Sequence, residues 1–104
     1  MNFYLILRHD AEPTDDRGRV IEHLAWMRRQ HERGTVLISG PSADGASGIY
    51  VLRAPSRKVA VALAAMDPLA QDGRARVEVI EWEVHQILGI GSFAPPPAPE
   101  GEVG

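Results

Sequence analysis

The sequence predicts one α+β domain whose elements follow the order β-α-β-β-α-β, and three observations support this. The chain has 104 residues, enough for one small domain. Its 44% hydrophobic and 24% charged residues are ordinary for a globular protein and exclude disorder along the whole chain. Apolar residues follow the two-residue period of strands in four segments and helical spacing in two others.

The four segments with strand character are short and bounded by turn residues. They cover residues 3–8, 35–39, 48–53 and 75–84. Gly40-Pro41 is expected to stop the second strand, and a loop rich in Ser, Gly and Asp leads from there to the third.

The first helical segment spans residues 19–33. Val20, Leu24 and Met27 recur at helical spacing, so we expect this stripe to face the core. Gly34 follows directly and is the expected C-terminal stop.

The second helix is predicted to begin after Ser56, a typical N-cap residue, and to place Val59, Leu63 and Met66 on one side. Asp67-Pro68 closes it, because the residue before a proline is disfavoured in helical geometry.

This order is the split βαβ, or ferredoxin-like, arrangement. Two helices cover only one face of a four-stranded sheet. Phe3, Leu5 and Leu7 alternate with Tyr4 and Ile6, so both faces of the first strand are apolar. We therefore expect a homodimer in which two sheets face each other, a dimeric α/β barrel. The alternative is one amphipathic sheet with a few apolar outliers.

Residues 94–104 are rich in proline and are predicted to form a flexible extension. The folded domain is then expected to span residues 1–93. Recognition of the tail by a proline-binding domain is the alternative function for this segment.

Composition also excludes several function classes. A net charge of −3 argues against nucleic-acid binding, and the absence of cysteine excludes disulfides and thiolate chemistry. No apolar run approaches the ~20 residues that span a bilayer, and the N-terminus lacks the pattern of a signal peptide. The four histidines lack metal-site spacing, and we find no cofactor motif. We expect a cytoplasmic protein without metal or cofactor.

His23 and Asp67 are the candidates for acid/base chemistry. His23 lies on the flank of the first helix's apolar stripe, where partial burial can move the pKa of an imidazole across neutrality. Asp67 ends a helix, where the dipole disfavours a carboxylate unless a cation or donor compensates. A His–Asp pair would explain both residues. The alternatives are a histidine packed for shape and an ordinary Asp-Pro turn.

The remaining candidates would bind substrate. Ser39-Gly40-Pro41 is expected to end an inner strand and present a hydroxyl and a backbone N–H to a cleft near the pair. Arg8, at the end of the first strand, could hold an anionic substrate, although solvation at the strand end is the alternative. Trp26 lies one helical turn from His23.

Four short motifs, in this order and spacing, resemble the YCII-related (YciI-like) family over about residues 2–93. They are Arg19-Val-Ile-Glu-His23-Leu24, Gly34-x-x-x-x-Ser39-Gly40-Pro41, Met66-Asp67-Pro68 and the strand 77–82. The resemblance implies a ferredoxin-like dimeric α/β barrel and a site built on His23 and Asp67. It also implies relatives that are dehydrochlorinases or isomerases of chlorinated hydroxyquinones and lactones, without metal or organic cofactor.

The sequence therefore predicts a small cofactor-independent enzyme in which His23 is the general acid/base and Asp67 orients it. The reaction class would be lyase, isomerase or dehydrochlorinase chemistry on a small organic metabolite. The alternative is a non-catalytic barrel that binds a small molecule or assists a partner enzyme.

Overall fold

The computed structural model describes residues 2–11, 17–88 and 91–92, and it confirms the predicted α+β, ferredoxin-like architecture. Its long strands are β1 (Asn2–Asp10), β2 (Val36–Pro41), β3 (Ser47–Ala54) and β4 (Ala75–Trp82). A two-residue pair follows, β5 (Gln86–Ile87) and β6 (Gly91–Ser92). The helices are α1 (Arg17–Glu32) and α2 (Arg57–Ala65), with a 3-10 turn at Gln71–Gly73. The predicted tail, 94–104, and its boundary lie outside the described residues.

The four long strands form one antiparallel sheet in the order β2-β3-β1-β4. β2 is therefore an edge strand, and the expectation that Ser39-Gly40-Pro41 ends an inner strand is wrong. The strand also continues through Pro41 instead of stopping before it. An edge strand tolerates proline because it needs ladder hydrogen bonds on one side only.

The core lies between one face of the sheet and the two helices. Tyr4 and Ile6 on β1 and Tyr50 and Leu52 on β3 point to this covered face and are buried. Neighbouring side chains of these strands point the opposite way, as the two-residue period requires. The opposite face, here called the open face, is covered by neither α1 nor α2. It carries Phe3, Leu5, Leu7, Ile38, Ile49, Val51, Ile80 and Trp82.

Helix α1 packs against β2 with a face that is rotated from the predicted one and still includes Met27. Its buried residues are Trp26, Met27 and Gln30, whereas Leu24 is 60% exposed. The expectation that Leu24 faces the core is therefore wrong. The indole of Trp26 fills the space above Tyr50, which rotates the buried face of the helix away from Leu24.

Helix α2 packs against β3 and β4 mainly through alanine, and of the predicted large residues only Leu63 packs against the core. Ala60 and Ala64 are buried, whereas Val59 and Met66 are exposed. Small side chains at the contact allow the helix backbone to approach the sheet closely. The predicted N-cap is confirmed, because Ser56 Oγ accepts a 3.3 Å hydrogen bond from the Val59 amide. In the described ranges, neither helix is long and apolar enough to cross a membrane.

Candidate active site

Two residues that lie 44 positions apart meet above the covered face of the sheet. His23 is on α1, and Asp67 directly follows the turn that ends α2. Their Nδ1 and Oδ1 atoms are 2.7 Å apart. The structure therefore brings together the histidine and the aspartate that the sequence singles out.

Asp67 is completely buried, and its carboxylate accepts hydrogen bonds from several donors. Arg8 Nη1 donates to Oδ2 at 2.9 Å, and the Leu69 amide donates to Oδ1 at 3.0 Å beside His23. Burial alone would raise the pKa of Asp67. The hydrogen bonds from His23 and Leu69, together with the charges of His23 and Arg8, outweigh burial and lower this pKa. Asp67 is therefore a carboxylate at neutral pH.

The ionised carboxylate determines the tautomer of His23. A carboxylate only accepts hydrogen bonds, so the proton of a neutral His23 ring must lie on Nδ1. The second ring nitrogen, Nε2, then carries the free lone pair and can accept a proton. No residue in the described part of the chain hydrogen-bonds to Nε2, and the side chain is 15% exposed.

Arg8 is held in place from two sides. Its Nε and Nη2 atoms form a bidentate pair with Asp10 at 2.8 and 3.2 Å, while Nη1 reaches Asp67. The side chain is nearly buried, which rules out the predicted alternative of solvation at the strand end. In this structure the guanidinium contacts protein carboxylates, so it positions Asp67.

Gly48 provides the space for Arg8, and the sequence analysis missed this residue. It lies opposite Arg8 in the β1–β3 pairing. A Cβ atom at this position would come within 2.6 Å of the Arg8 Cζ atom. The signal was weak in the sequence, because a glycine at the first residue of the predicted third strand does not show which side chain lies opposite it.

The turn that carries Asp67 is braced from α1. Arg19, one helical turn before His23, donates from Nη1 to the Pro68 carbonyl oxygen at 2.9 Å and forms an ion pair with Asp72. The same helix therefore carries the histidine and restrains the loop that presents its partner.

Trp26 and Tyr50 form a buried aromatic contact near the His23–Asp67 pair. Their rings meet edge to face, with centroids 6.2 Å apart and planes at 72°. Trp26 is 4% exposed, and its Nε1–H has no hydrogen-bond partner in the described part of the chain. Burial raises the pKa of Tyr50, and the nearby Asp67 charge adds to this effect. Tyr50 is therefore a neutral phenol.

The Ser39 hydroxyl contacts His31 and not the His23–Asp67 pair, whereas Pro41 pairs with Gly48 on the neighbouring strand. Ser39 Oγ is 2.8 Å from His31 Nε2, on the exposed side of α1. His31 follows His23 by eight residues, or about 12 Å along a helix. The structure thus does not join Ser39 to the pair by a hydrogen bond. Gly40 is exposed, and no atom lies within 4 Å of the position its Cβ would take.

The fold and the site define a class of protein. It is a ferredoxin-like α+β domain in which a histidine on the first helix contacts a buried carboxylate that follows the second helix. The family model of the YCII-related domain matches residues 2–83 of this chain. The chain therefore belongs to the YCII-related family. No curated protein matches the chain.

Among solved structures, the chain is similar to a 5-chloro-2-hydroxyhydroquinone dehydrochlorinase (TftG) from Burkholderia phenoliruptrix AC1100, in complex with 2,5-dihydroxybenzoquinone. The identity is 18% and the TM-score 0.59, over 79% of this chain and 94% of the other. At this identity the likeness establishes the shared fold.

Proposed function

We propose that the protein is a small enzyme in which His23 is the general acid/base and Asp67 orients and stabilises it. The observation that carries this proposal is the 2.7 Å contact between His23 Nδ1 and the buried Asp67 carboxylate. Such a contact fixes the ring, leaves Nε2 as the base and stabilises the imidazolium that forms on protonation. Family membership and the dehydrochlorinase fold support a reaction on a small organic molecule.

The proposed chemistry is elimination or isomerisation started by proton transfer. His23 Nε2 takes a proton from the substrate, and the electron pair of the broken bond forms a new π bond. In an elimination, a leaving group such as chloride departs with the electron pair of its own bond, and the imidazolium later returns its proton to water. In an isomerisation, an adjacent π bond of the substrate breaks instead, and His23 returns the proton to the substrate atom that gains this electron pair. Both routes use only His23, the substrate and water.

The proposed substrate class is a small hydroxylated ring. The dehydrochlorinase was solved with 2,5-dihydroxybenzoquinone, a planar molecule with several oxygens. Trp26 and Tyr50 are 4% and 2% exposed and have little surface for a ligand, so in this proposal the substrate meets the half-buried His23 at Nε2. In this proposal Arg8 positions Asp67 through its hydrogen bond to the carboxylate.

The test compares His23→Gln with wild type for chloride release from 5-chloro-2-hydroxyhydroquinone and related chlorinated hydroxyquinones. We expect kcat to fall by about 10²–10⁴-fold, the usual contribution of a positioned acid/base group. His31→Gln is the matched control, because His31 is on the same helix and bonded to Ser39 instead of Asp67. Its kcat should equal that of wild type.

Two results would contradict the proposal. Equal turnover by wild type and His23→Gln would exclude His23 as the base. Binding of 2,5-dihydroxybenzoquinone by both proteins, without turnover of any compound by wild type, would instead support a non-catalytic binding protein.

We also propose that two chains associate through the open face. Four strands contribute large apolar residues to this face, and Ile38 and Trp82 are 66% and 46% exposed. A cavity of about 410 Å³ at one end is lined by apolar residues such as Phe3, Val51 and Ile87. Water-exposed apolar surface of this extent is unusual for a monomer. A second copy offers the same apolar face and would cover it.

A further inference from the structure

Asp10 is the second carboxylate that contacts Arg8, and the geometry of β1 places it there. Arg8 and Asp10 are two residues apart on this strand, so both side chains point to the covered face of the sheet. Asp10 accepts from Arg8 Nε at 2.8 Å and from Nη2 at 3.2 Å. These two nitrogens, here called the bidentate edge of Arg8, can donate together to both oxygens of one carboxylate. Asp10 occupies this edge.

Asp67 receives a different part of the same guanidinium. Arg8 Nη1 donates to Oδ2 of Asp67 at 2.9 Å. The other oxygen, Oδ1, accepts from His23 Nδ1 at 2.7 Å and from the Leu69 amide at 3.0 Å. A carboxylate oxygen offers two lone pairs, so these two donors fill Oδ1. An additional N–H from Arg8 at Oδ1 would displace His23 or the Leu69 amide.

Gly48 and Asp10 restrain the guanidinium of Arg8 in different directions. A Cβ atom on Gly48 would lie 2.6 Å from Arg8 Cζ and 2.7 Å from each Nη atom. Because these distances are nearly equal, the group presents its flat side to Gly48, and this contact limits tilting. Rotation within the plane of the group is limited by Asp10, because Asp10 holds the bidentate edge.

The contact between Arg8 and Asp10 is not an ordinary surface ion pair. The side chains are only 8% and 22% exposed, whereas pairs in full contact with water contribute little. Burial alone would lower the pKa of Arg8. The hydrogen bond to Asp10 is the largest of the contributions that outweigh burial and raise this pKa. Asp10 is therefore a principal partner of the buried guanidinium.

We propose that Asp10 is a positioning residue for His23 and that it acts through Arg8. Because Asp10 holds the bidentate edge, Arg8 reaches Asp67 through Nη1 at Oδ2, and Oδ1 stays available to His23. Without Asp10, the bidentate edge is free to turn to Asp67, the other carboxylate that Arg8 contacts. It then competes with His23 for Oδ1, and the ring loses the acceptor that keeps its proton on Nδ1.

Asp10→Asn tests the proposal, because it keeps the size of the side chain and replaces one acceptor oxygen with an amide donor. The first measurement needs no substrate. The ¹⁵N chemical shifts of the neutral His23 ring report how the proton is shared between Nδ1 and Nε2. In wild type we expect the form protonated on Nδ1 to predominate. In Asp10→Asn we expect the shifts to move toward those of the form protonated on Nε2.

The second measurement rests on the proposed function and uses chloride release from 5-chloro-2-hydroxyhydroquinone. We expect Asp10→Asn to lower kcat about ten- to hundredfold and to leave KM within about twofold, because the base is misdirected while substrate binding is retained. Asp10→Glu keeps both acceptor oxygens and should retain most of the wild-type kcat. Glu78→Gln is the matched control, because it removes a carboxylate that contacts another β1 residue, His9, at 3.2 Å. It should leave the ¹⁵N shifts and kcat unchanged.

A double-mutant cycle separates action through Arg8 from a direct effect of Asp10. In the Arg8→Met background, Asp10→Asn should cause no further loss of kcat. Circular dichroism checks that each variant is folded, and Asp10→Ser replaces Asp10→Asn if the latter does not fold. The inference is overturned if the folded variant keeps the wild-type ¹⁵N shifts of His23, or if its loss of kcat persists in the Arg8→Met background. If wild type turns over no chlorinated hydroxyquinone, the proposed function fails, and the ¹⁵N shifts alone decide the role of Asp10.

Discussion

At the residue scale, Asp67 is held by donors on all sides of its carboxylate. A buried charge that loses its hydrogen-bond partners costs several kcal/mol. Arg8, His23 and the Leu69 amide are therefore held in the positions in which they donate to Asp67. The same contacts that stabilise the carboxylate therefore fix the direction of the His23 ring. Stability and chemistry depend on the same atoms here.

Gly48→Ala should displace Arg8. The added Cβ would lie 2.6 Å from the Arg8 Cζ atom, and nearly buried atoms have little room to move. We expect a loss of about 1–3 kcal/mol in the free energy of unfolding, measured with urea. Gly40→Ala is the matched control: its Cβ meets no atom within 4 Å, so its effect should stay within about 0.5 kcal/mol. Equal stability of the two variants would contradict the role assigned to Gly48.

Asp67→Asn should change how stability depends on pH. The folded-state pKa of Asp67 is lowered below its unfolded value of about 3.9, so its contribution is fully present above that value. The contribution is lost as pH falls through the folded pKa. Asp67→Asn should therefore cost about 3–5 kcal/mol in unfolding free energy near pH 7, and the difference from wild type should shrink below about pH 4. A difference that stays constant from pH 7 to pH 3 would contradict this.

At the element scale, α1 performs two tasks with residues one turn apart. His23 forms the pair with Asp67, while Arg19 holds the Pro68 carbonyl oxygen and Asp72. The helix and the turn after α2 are thus joined at two points, and the position of Asp67 depends on both.

Arg19→Met should loosen the turn without removing either member of the pair. We expect hydrogen exchange at the Leu69 amide to accelerate about tenfold, because this amide is protected by its bond to Asp67 within the same turn. Arg33→Met, at an exposed position just beyond α1, is the control and should leave exchange at Leu69 unchanged. Unchanged hydrogen exchange at Leu69 in Arg19→Met would contradict this prediction, because the turn would then be rigid without the Arg19 contacts.

The element order follows from local signals in the sequence, whereas the pairing of His23 with Asp67 was a hypothesis supported by the family resemblance. The alternation of apolar residues predicts each strand, the Ser56 cap predicts the start of α2, and the Asp-Pro step predicts its end. The structure contains all three features. The buried face of α1 does not follow in this way, because Leu24 and Trp26 are both apolar and only the space above Tyr50 decides between them. The close packing of Arg8 against Gly48 depends on the register in which β1 pairs with β3. The sequence of either strand alone does not determine this register.

At the scale of the whole molecule, the chain has one covered and one uncovered sheet face. The open-face proposal predicts that Ile38→Lys, at an exposed edge-strand position, prevents association at micromolar chain concentration, because a buried charge would lie in the apolar contact. Sedimentation equilibrium gives the mass. Val61→Lys on α2 replaces a residue that is also exposed, but on the helix side, and should leave the assembly intact. A wild-type mass near the 11.4 kDa of one chain would contradict the proposal.

The alternation of side chains along β1 has a consequence for how this protein can evolve. Even-numbered residues such as Ile6 and Arg8 serve the core and the site, whereas odd-numbered residues such as Leu5 and Leu7 form the open face. Deleting or inserting one residue within the strand would exchange the two sets and send Arg8 away from Asp67. Length changes are therefore tolerated only in loops such as residues 42–46, and β1 can diverge by substitution alone.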